Sequence, residues 1–269
     1  MSAPTSTTLN IYDIKKLREL NILLAEDNLL NVKLISILFS LYGLKLETAM
    51  NGAEAVEKIK TNSFDIVLMD IEMPVLNGYQ ATSVIRQQLN NNIPIIAMTA
   101  GTMPGEKEKC LQAGMNDYIT KPINEDHLLA AIYNLTYNNK PAFEKKGITI
   151  PPVLLTVTEK VCKLDYLVTI TRGNKKMMNN IIDIFMEVTP AELLALDAAI
   201  QKTEYTIIRD ICHKIKSSFS LLGIVALEPV FAEMEHLGTI ASGIEKIKLL
   251  SGRINNLFTQ SIEEMKQPL

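Results

Sequence analysis

Four short apolar segments of the sequence each end in polar residues that a hydrophobic core does not require. These residues are Glu26 and Asp27 after the first segment, Asp70 after the second, Thr99 after the third and Lys121 after the fourth. If the segments are parallel strands, their carboxyl ends share one edge of a sheet, where open α/β sheets bind ligands. Three carboxylates, one hydroxyl and one ammonium would then face one crevice.

This set of side chains suits metal-assisted transfer of a phosphoryl group. Carboxylates held close together repel one another, and Mg²⁺ binds a few carboxylates together with water and phosphate oxygens. Asp70 is the candidate nucleophile because it stands alone after its segment, and its attack on phosphorus would give an aspartyl phosphate. Lys121 and Mg²⁺ would neutralise the transferring oxygens, and the Thr99 hydroxyl would donate a hydrogen bond to them.

The surrounding residues predict the elements that would position these groups. The predicted strands are Ile22–Ala25, Ile66–Met69, Ile95–Met98, Tyr118–Ile119 and a weaker one near Leu44–Thr48. The predicted helices are Leu30–Leu41, Ala53–Ile59, Tyr79–Leu89, Gly105–Ala113 and Glu125–Leu135. Strands that are apolar throughout are typical of burial on both faces. Five such strands alternating with five helices predict an α/β fold with a doubly wound, five-stranded parallel sheet.

A single histidine stands out in the second half of the chain. In the predicted helix Glu204–Leu222 the apolar residues recur at spacings of three and four, which indicates a buried face. They are Tyr205, Ile208, Cys212, Ile215, Phe219 and Leu222. His213 lies outside this face, with Lys216 three residues further on. Neutral imidazole is a good nucleophile, and Lys216 could offset the charge of a phosphorylated ring. This pattern predicts a phosphate carrier.

From Leu164 onwards the sequence predicts only helices, and therefore a separate all-α bundle. Thr189 and Pro190 are typical of a helix start, with threonine as the cap and proline at the first position. We therefore expect a hairpin of two helices, Asn174–Val188 and Pro190–Gln201. One or two helices should follow the histidine helix. The stretch from Tyr137 to about Lys160 is rich in proline and glycine and predicts a linker.

Composition excludes several classes of protein. The chain has 269 residues, of which 47% are hydrophobic, enough for about two folded domains. A net charge of −3 disfavours a general nucleic-acid binder. The three cysteines form no CxxC pair, which favours reduced thiols. We find no membrane-length apolar run, no signal peptide and no nucleotide-binding loop. We therefore expect a soluble, cytoplasmic protein without an ATP-dependent kinase domain.

Four motifs resemble the receiver domain of two-component response regulators, especially receivers attached to hybrid histidine kinases. They are LLAEDNLLN, FDIVLMDIEMPVLNGYQAT, PIIAMTAGT and MNDYITKPI, within about Asn21–Asn138. The resemblance implies a flavodoxin-like fold with Asp70 as phosphoacceptor. It implies these further site residues: Glu26, Asp27, Asp70 and the backbone carbonyl of Glu72 as Mg²⁺ ligands, Thr99 and Lys121 as phosphate contacts, and Tyr118 as the aromatic switch. It also implies a cis peptide between Lys121 and Pro122.

The segment CHKIKSSFSLLG resembles the HxxKG-type motif of histidine phosphotransfer (HPt) domains, with Ser217 in place of the usual glycine. This resemblance implies that His213 carries phosphoryl groups and that Lys216 assists it. The expected arrangement is that found at the C-terminus of hybrid sensor histidine kinases. It comprises a lead-in (residues 1–20), a receiver domain (21–138), a linker (139–162) and an HPt bundle (163–269).

Together these resemblances predict a phosphorelay protein. Asp70 would accept a phosphoryl group from a histidine kinase or another phosphohistidine donor, and His213 would exchange phosphoryl groups with a receiver aspartate. A downstream receiver or HPt protein is the other expected partner. Two alternatives stay open. A haloacid dehalogenase-type phosphatase also uses aspartate, Mg²⁺ and lysine, but it has a second aspartate where this sequence has Glu72. The other alternative is a non-catalytic receiver that serves as a docking module.

Overall fold

The computed structural model describes residues 11–99, 106–138 and 160–266. The chain divides into two compact units, Met1–Lys145 (unit 1) and Lys146–Leu269 (unit 2). Most of the predicted linker, residues 139–159, lies outside the described residues. Among the described helices, none combines the length and the apolar character that crossing a bilayer requires.

Unit 1 contains a five-stranded parallel sheet. The strands are β1 (Asn21–Ala25), β2 (Lys45–Ala49), β3 (Ile66–Asp70), β4 (Ile95–Thr99) and β5 (Asp117–Thr120). Their order is β2-β1-β3-β4-β5, and every neighbouring pair is parallel. Strands β3 and β4 are buried at all five positions, as their uninterrupted apolar sequences predict. Edge strand β2 is buried only at its last residue, which explains its weaker sequence signal. The predicted doubly wound, flavodoxin-like fold is confirmed.

Helices flank this sheet. They are α1 (Ile11–Leu17), α2 (Leu29–Tyr42), α3 (Gly52–Thr61), α4 (Gly78–Gln87), α5 (Glu106–Gln112) and α6 (Glu125–Tyr133), the last continuing into a π-helical turn (Asn134–Asn138). Four of them begin after an asparagine whose side chain accepts a backbone N–H of the first turn: Asn28, Asn51, Asn77 and Asn124. Such caps fix where a helix begins. Because α2 and α6 begin within a few residues of β1 and β5, the side chains between them stay at the carboxyl edge of the sheet.

Unit 2 is helical, as predicted. Its helices are α7 (Asp165–Ile170), α8 (Lys175–Gln201), α9 (Tyr205–Leu221), α10 (Glu228–Thr239) and α11 (Ile244–Met265), with a 3-10 turn at Val225–Leu227. A cluster of phenylalanines from four of these helices packs in the interior. They are Phe185, Phe219, Phe231 and Phe258, with ring centroids 5.2–6.1 Å apart in the contacting pairs. The predicted apolar face of α9 is buried from Ile208 to Leu222, although Tyr205 is only half-buried.

The predicted helix break at Thr189 was wrong. Helix α8 runs without interruption from Lys175 to Gln201 and contains Pro190. Proline inside a helix removes one hydrogen bond and typically costs about 3 kcal/mol. The buried positions nevertheless continue in register across it: Ile182, Phe185, Thr189, Leu193 and Leu196. Burial of this stripe on both sides of the proline offsets the local cost, so the two predicted helices are one.

Gly223 allows a close approach at the end of α9. Its φ is +68°, and a Cβ atom built on it would lie 2.0 Å from the carbonyl oxygen of Lys163. Only glycine combines this backbone conformation with such an approach. The segment before α7 therefore passes directly against the end of the helix that carries His213.

Candidate functional site

The carboxyl edge of the sheet brings four of the predicted residues together. Glu26 and Asp27 follow β1, Asp70 is the last residue of β3, and Lys121 follows β5. One carboxylate oxygen from each of Glu26, Asp27 and Asp70 lies within 4.8 Å of the others. This is the acidic cluster that the strand-end pattern predicted.

Lys121 pairs with two carboxylates of this cluster. Its Nζ lies 2.5 Å from Oδ2 of Asp70 and 2.7 Å from Oε2 of Glu26. The lysine side chain is 11% exposed, and the two carboxylates are 5% exposed or less. One ammonium therefore contacts two carboxylates, and Asp27 adds a third beside them, so the described cluster has an excess of negative charge.

This charge balance changes the ionisation of the two central groups. Burial raises the pKa of Asp70 above its ordinary value and the charge of Glu26 raises it further, whereas Lys121 opposes the shift. Burial works to lower the pKa of Lys121, but the charges of Asp70 and Glu26 outweigh burial and raise it. Lys121 therefore remains an ammonium, while additional positive charge would favour the ionised form of Asp70 that a nucleophile needs.

The donor atoms of the cluster fit a divalent cation. Oε2 of Glu26 is buried and lies 2.7 Å from the ammonium of Lys121. Lys121 also contacts Asp70, so one ammonium is shared by clustered carboxylates, and a bound cation would balance the remaining negative charge. An oxygen-only donor set suits Mg²⁺. Glu72 lies beside the cluster, since its N–H donates to Oδ1 of Asp70 over 3.4 Å.

The loop after β3 is held against Asp70 by Gly78. A Cβ atom on this glycine would lie 2.2 Å from the backbone oxygen of Asp70. Its N–H donates to the carbonyl of Ile71 over 2.9 Å. A larger residue would push the start of α4 away, so the loop geometry beside Asp70 depends on glycine at this position.

Thr99 and Tyr118 occupy the two remaining strands near the cluster. Thr99 is the last residue of β4 and is buried, and its carbonyl accepts the N–H of Lys121 over 2.7 Å. Tyr118 lies in β5, half-buried against the hydrophobic core of unit 1. The peptide between Lys121 and Pro122 is cis, as expected. Residues 100–105, which follow Thr99, lie outside the described ranges.

Unit 2 places His213 beside two charged residues. Nδ1 of His213 lies 3.4 Å from Oε1 of Glu235, and Nζ of Lys216 lies 3.1 Å from Oε2 of the same carboxylate. The His213 side chain is 16% exposed, so it is not sealed within the bundle. The adjacent Cys212, by contrast, is fully buried.

Glu235 is a residue that the sequence analysis missed. Burial would raise the pKa of its carboxyl, but the hydrogen bond from His213 and the charge of Lys216 outweigh burial and lower it. The available signal was its position on α10, directly after buried Met234 and one turn after buried Phe231. A carboxylate at the margin of a buried helix face needs a partner, and the partner here is the histidine of α9.

Most of unit 1 matches a known protein family. Residues 22–133 match the family model described as the response regulator receiver domain. This part of the chain is a receiver domain. Receiver domains of this kind belong to two-component phosphorelay signalling. The matched region contains the acidic cluster of Glu26, Asp27 and Asp70.

Relatives of the receiver domain include sensor kinases. The chain is 30% identical to the signal transduction histidine-protein kinase BarA of Escherichia coli K12 over 223 residues, or 81% of this chain and 24% of that protein. It is 44% identical over 119 residues to the hybrid signal transduction histidine kinase I of Dictyostelium discoideum, or 41% of this chain and 7% of that protein. The chain therefore spans a quarter or less of the length of these relatives.

A solved structure is also similar to the receiver domain. It is the receiver domain of a sensor histidine kinase of Pseudomonas aeruginosa PAO1, solved with a magnesium ion coordinated in its active-site cleft. The two sequences are 40% identical, the match covers 44% of this chain and 96% of that one, and the TM-score is 0.40.

Asn31, within the receiver domain, is a second residue near the site that the sequence pattern did not predict. This residue lies in the first turn of α2, is buried, and donates from Nδ2 to Oε1 of Glu26 over 2.9 Å. The available signal was a polar residue in the first turn of a largely apolar helix, close in sequence to the end of β1.

Proposed function

We propose that the chain is a phosphorelay intermediary in which Asp70 accepts a phosphoryl group and His213 carries one. The observation that carries the proposal is the buried carboxylate cluster in which Lys121 contacts Asp70 at 2.5 Å. The upstream partner is a histidine kinase or another phosphohistidine donor. The downstream partner is a receiver or an HPt protein. The chain itself would not use ATP.

Asp70 is the group that attacks phosphorus. A bond forms between a carboxylate oxygen and phosphorus while the bond from phosphorus to the donor imidazole breaks. The electron pair returns to the imidazole nitrogen, and the donor ring, which keeps the proton on its other nitrogen, leaves as neutral imidazole. Lys121 keeps its proton and neutralises the phosphoryl oxygens, and the Thr99 hydroxyl donates a hydrogen bond to them. Tyr118 would serve as the switch residue that responds to the new charge.

Mg²⁺ would be held by the carboxylates of Glu26, Asp27 and Asp70 and by the backbone carbonyl of Glu72. When bound, it would supply positive charge that offsets the repulsion between the carboxylate and the phosphoryl oxygens. The clustering of one carboxylate oxygen from each of Glu26, Asp27 and Asp70 within 4.8 Å supports this assignment. Burial and Glu26 raise the pKa of Asp70, so added positive charge would favour the ionised form of this nucleophile.

His213 would act through its Nε2 atom. The Glu235 carboxylate faces Nδ1, and a carboxylate partner favours the tautomer with hydrogen on that nitrogen and the lone pair on Nε2. Nε2 would attack the phosphorus of an aspartyl phosphate such as that of Asp70. A nitrogen–phosphorus bond forms, the acyl oxygen–phosphorus bond breaks, and aspartate leaves as a carboxylate. The ring then carries a positive charge that Glu235 stabilises.

Lys216 would act partly through Glu235. The sequence pattern predicts that it offsets the charge of the phosphorylated ring directly, but its ammonium contacts the Glu235 carboxylate at 3.1 Å. In this position it holds the carboxylate against His213 and adds positive charge one turn along α9. Its contribution to phosphate binding is therefore smaller than that of a lysine that faces the ring alone.

The comparison with BarA supports a role for unit 2 in the same signalling system. The match covers 81% of the chain, which is more than the 145 residues of unit 1 can supply. Similarity to a histidine-protein kinase therefore continues into the helical unit. We propose the division into lead-in (residues 1–20), receiver (21–138), linker (139–162) and HPt bundle (163–269) on this basis and on the position of His213.

The test of Asp70 uses a radiolabelled phosphohistidine donor and the full chain carrying His213→Gln. We expect label in a linkage that hydroxylamine and alkali remove, as for an acyl phosphate. Asp70→Asn should abolish this label. Asp65→Asn, directly before the first residue of β3, is the matched control and should retain it. Labelling of the Asp70→Asn variant in the receiver domain would contradict the proposal.

Two further measurements separate the alternatives. Sustained hydrolysis of simple phosphomonoesters would favour a phosphatase. Failure of the wild-type chain to bind Mg²⁺ or beryllofluoride would favour a docking module. We expect neither result, because the acids, Thr99 and Lys121 are all present at one sheet edge.

A further inference from the structure

The two oxygens of the Glu26 carboxylate have different surroundings. Oε1 receives the side-chain amide of Asn31 at 2.9 Å and the backbone N–H of Asn28 at 3.3 Å. Oε2 faces Lys121 at 2.7 Å and belongs to the acidic cluster. Glu26 is fully buried, so solvent does not compete for either oxygen.

The donors to Oε1 both belong to the start of α2. The side chain of Asn28 caps this helix by accepting the N–H groups of Leu30 and Asn31 at 2.9 and 3.3 Å. The cap fixes the first turn, and the first turn fixes the amide of Asn31. Rotation of the Glu26 carboxylate away from this position would break its short hydrogen bond with Asn31.

From this geometry we propose that Asn31 is a positioning residue for the phosphoryl-transfer site. It holds Oε1 of Glu26 so that Oε2 faces the crevice, where it can bind the cation and pair with Lys121. The inference rests on the proposed Mg²⁺ site, and it adds a residue whose described contact with that site is its hydrogen bond to Glu26.

The composition of α2 supports a specific role for this side chain. Asparagine is a poor helix former, and a buried amide is costly unless it is hydrogen-bonded. Its neighbours Leu30 and Leu34 are buried apolar residues. Packing alone would be served by another apolar side chain at position 31, whereas an amide matches the carboxylate oxygen in front of it.

The size of the effect follows from the behaviour of hydrogen bonds to metal ligands. Removing a partner of a ligating carboxylate typically weakens metal binding about 10-fold to 100-fold. Without Asn31, the donor that Oε1 keeps among the described residues is the backbone N–H of Asn28 at 3.3 Å. We therefore expect the dissociation constant for Mg²⁺ to rise by about 10-fold or more.

The experiment measures Mg²⁺ binding to the full chain by calorimetry, with Mg²⁺ alone and no phosphodonor. Two variants are compared with wild type: Asn31→Ala, and Asn31→Leu, which refills the space without a donor. Ser36→Ala is the matched control on α2, because its hydroxyl donates to the backbone carbonyl of Val32 over 2.7 Å and not to Glu26. Unfolding is measured in parallel without Mg²⁺. We expect both Asn31 variants to lose affinity and Ser36→Ala to keep it.

The outcomes distinguish this inference from the proposed metal site. If the wild-type chain binds no Mg²⁺, the metal site itself is wrong and the inference falls with it. If wild type binds Mg²⁺ and either folded Asn31 variant binds within twofold of it, the positioning role is wrong. A purely structural role would lower stability without Mg²⁺ and leave the dissociation constant unchanged, and that result also overturns the inference.

Discussion

Oε1 of Glu235 lies 3.4 Å from Nδ1 of His213, although the two residues belong to different helices. The second oxygen of the same carboxylate contacts the ammonium of Lys216. A carboxylate that is four-fifths buried is thus stabilised by a ring and an ammonium from α9. The arrangement links the ionisation of Glu235 to the packing of α10 on α9.

Glu235 should contribute stability that disappears in acid. Its pKa is lowered in the folded state, since the hydrogen bond from His213 and the charge of Lys216 outweigh burial. The stabilisation is therefore present above the unfolded carboxyl pKa of about 4.3 and is lost as pH falls through the lower folded value. Glu235→Gln should lower the free energy of unfolding at pH 7 and flatten its dependence on pH below about 5.

Urea unfolding between pH 3 and pH 7 checks this expectation. Glu233→Gln is the matched control on the same helix, because Glu233 is 39% exposed and pairs with Lys246 at the surface. We expect this control to unfold like wild type. If the free energy of unfolding fell equally steeply with decreasing pH in wild type and in Glu235→Gln, the result would be incompatible with the described contact.

Asp70→Asn should stabilise unit 1 while it abolishes phosphorylation. The folded pKa of Asp70 is raised by burial and by Glu26, so ionising this carboxyl costs folding free energy. The cost begins as pH rises past the unfolded pKa of about 3.9 and grows until the higher folded pKa is reached. Lys121 keeps its contact with Glu26 at 2.7 Å in the variant.

We expect a gain of at least about 1 kcal/mol at pH 7 without Mg²⁺, and a much smaller gain near pH 4. Denaturant unfolding of the receiver-domain transition measures it. Asp65→Asn is again the control, since its carboxylate accepts the N–H of Asn21 away from the cluster. A lower stability of Asp70→Asn at pH 7 would refute this account of the buried charge.

Mg²⁺ should raise the melting temperature of the wild-type receiver domain. A ligand that binds only the folded state stabilises it by about 2.7 kcal/mol at 100 times its dissociation constant. Glu26→Gln removes the charge of one proposed ligand and should reduce this rise, as should Asp70→Asn. The melting temperature is measured by thermal unfolding with and without Mg²⁺, and a buffer free of divalent cations is the baseline. Equal Mg²⁺-induced shifts in wild type and Glu26→Gln would count against the assigned ligands.

Pro190→Ala should stabilise unit 2. Because α8 continues through position 190, alanine restores a helix N–H and removes the clash of the proline ring. After allowing for the greater freedom of the unfolded chain, we expect a gain of about 1–2 kcal/mol in the free energy of unfolding. Pro229→Ala is the control, because Pro229 stands in the first turn of α10, where proline is favoured. A loss of stability in Pro190→Ala, with helix content unchanged, would contradict a continuous α8.

The sequence predicted the receiver fold and its acidic cluster well, for a physical reason. Strands apolar throughout must be buried on both faces, and polar residues at their ends must then meet at one edge, as Glu26, Asp70 and Lys121 do. The helix break at Pro190 was predicted wrongly, because local cap chemistry suggested a start where long-range packing continues the helix.

Residues that act through tertiary contacts were harder to predict. Glu235 meets His213 only because α10 packs on α9, and no local pattern in AEMEHLG indicates that pairing. Asn31 lies in the first turn of α2, the helix that Asn28 caps. Its role, however, depends on which oxygen of Glu26 faces its amide. Both contacts become visible only when helix packing and side-chain direction are known.

The most direct test of the central claim follows one phosphoryl group between two variants of the full chain. A His213→Gln chain is labelled at Asp70 and mixed with a size-tagged Asp70→Asn chain. We predict that label appears on the tagged chain in a linkage that resists alkali and is lost in acid. A tagged chain carrying both substitutions should receive none. Label that decays to inorganic phosphate without reaching the Asp70→Asn chain, or that reaches the doubly substituted chain equally, would contradict the account.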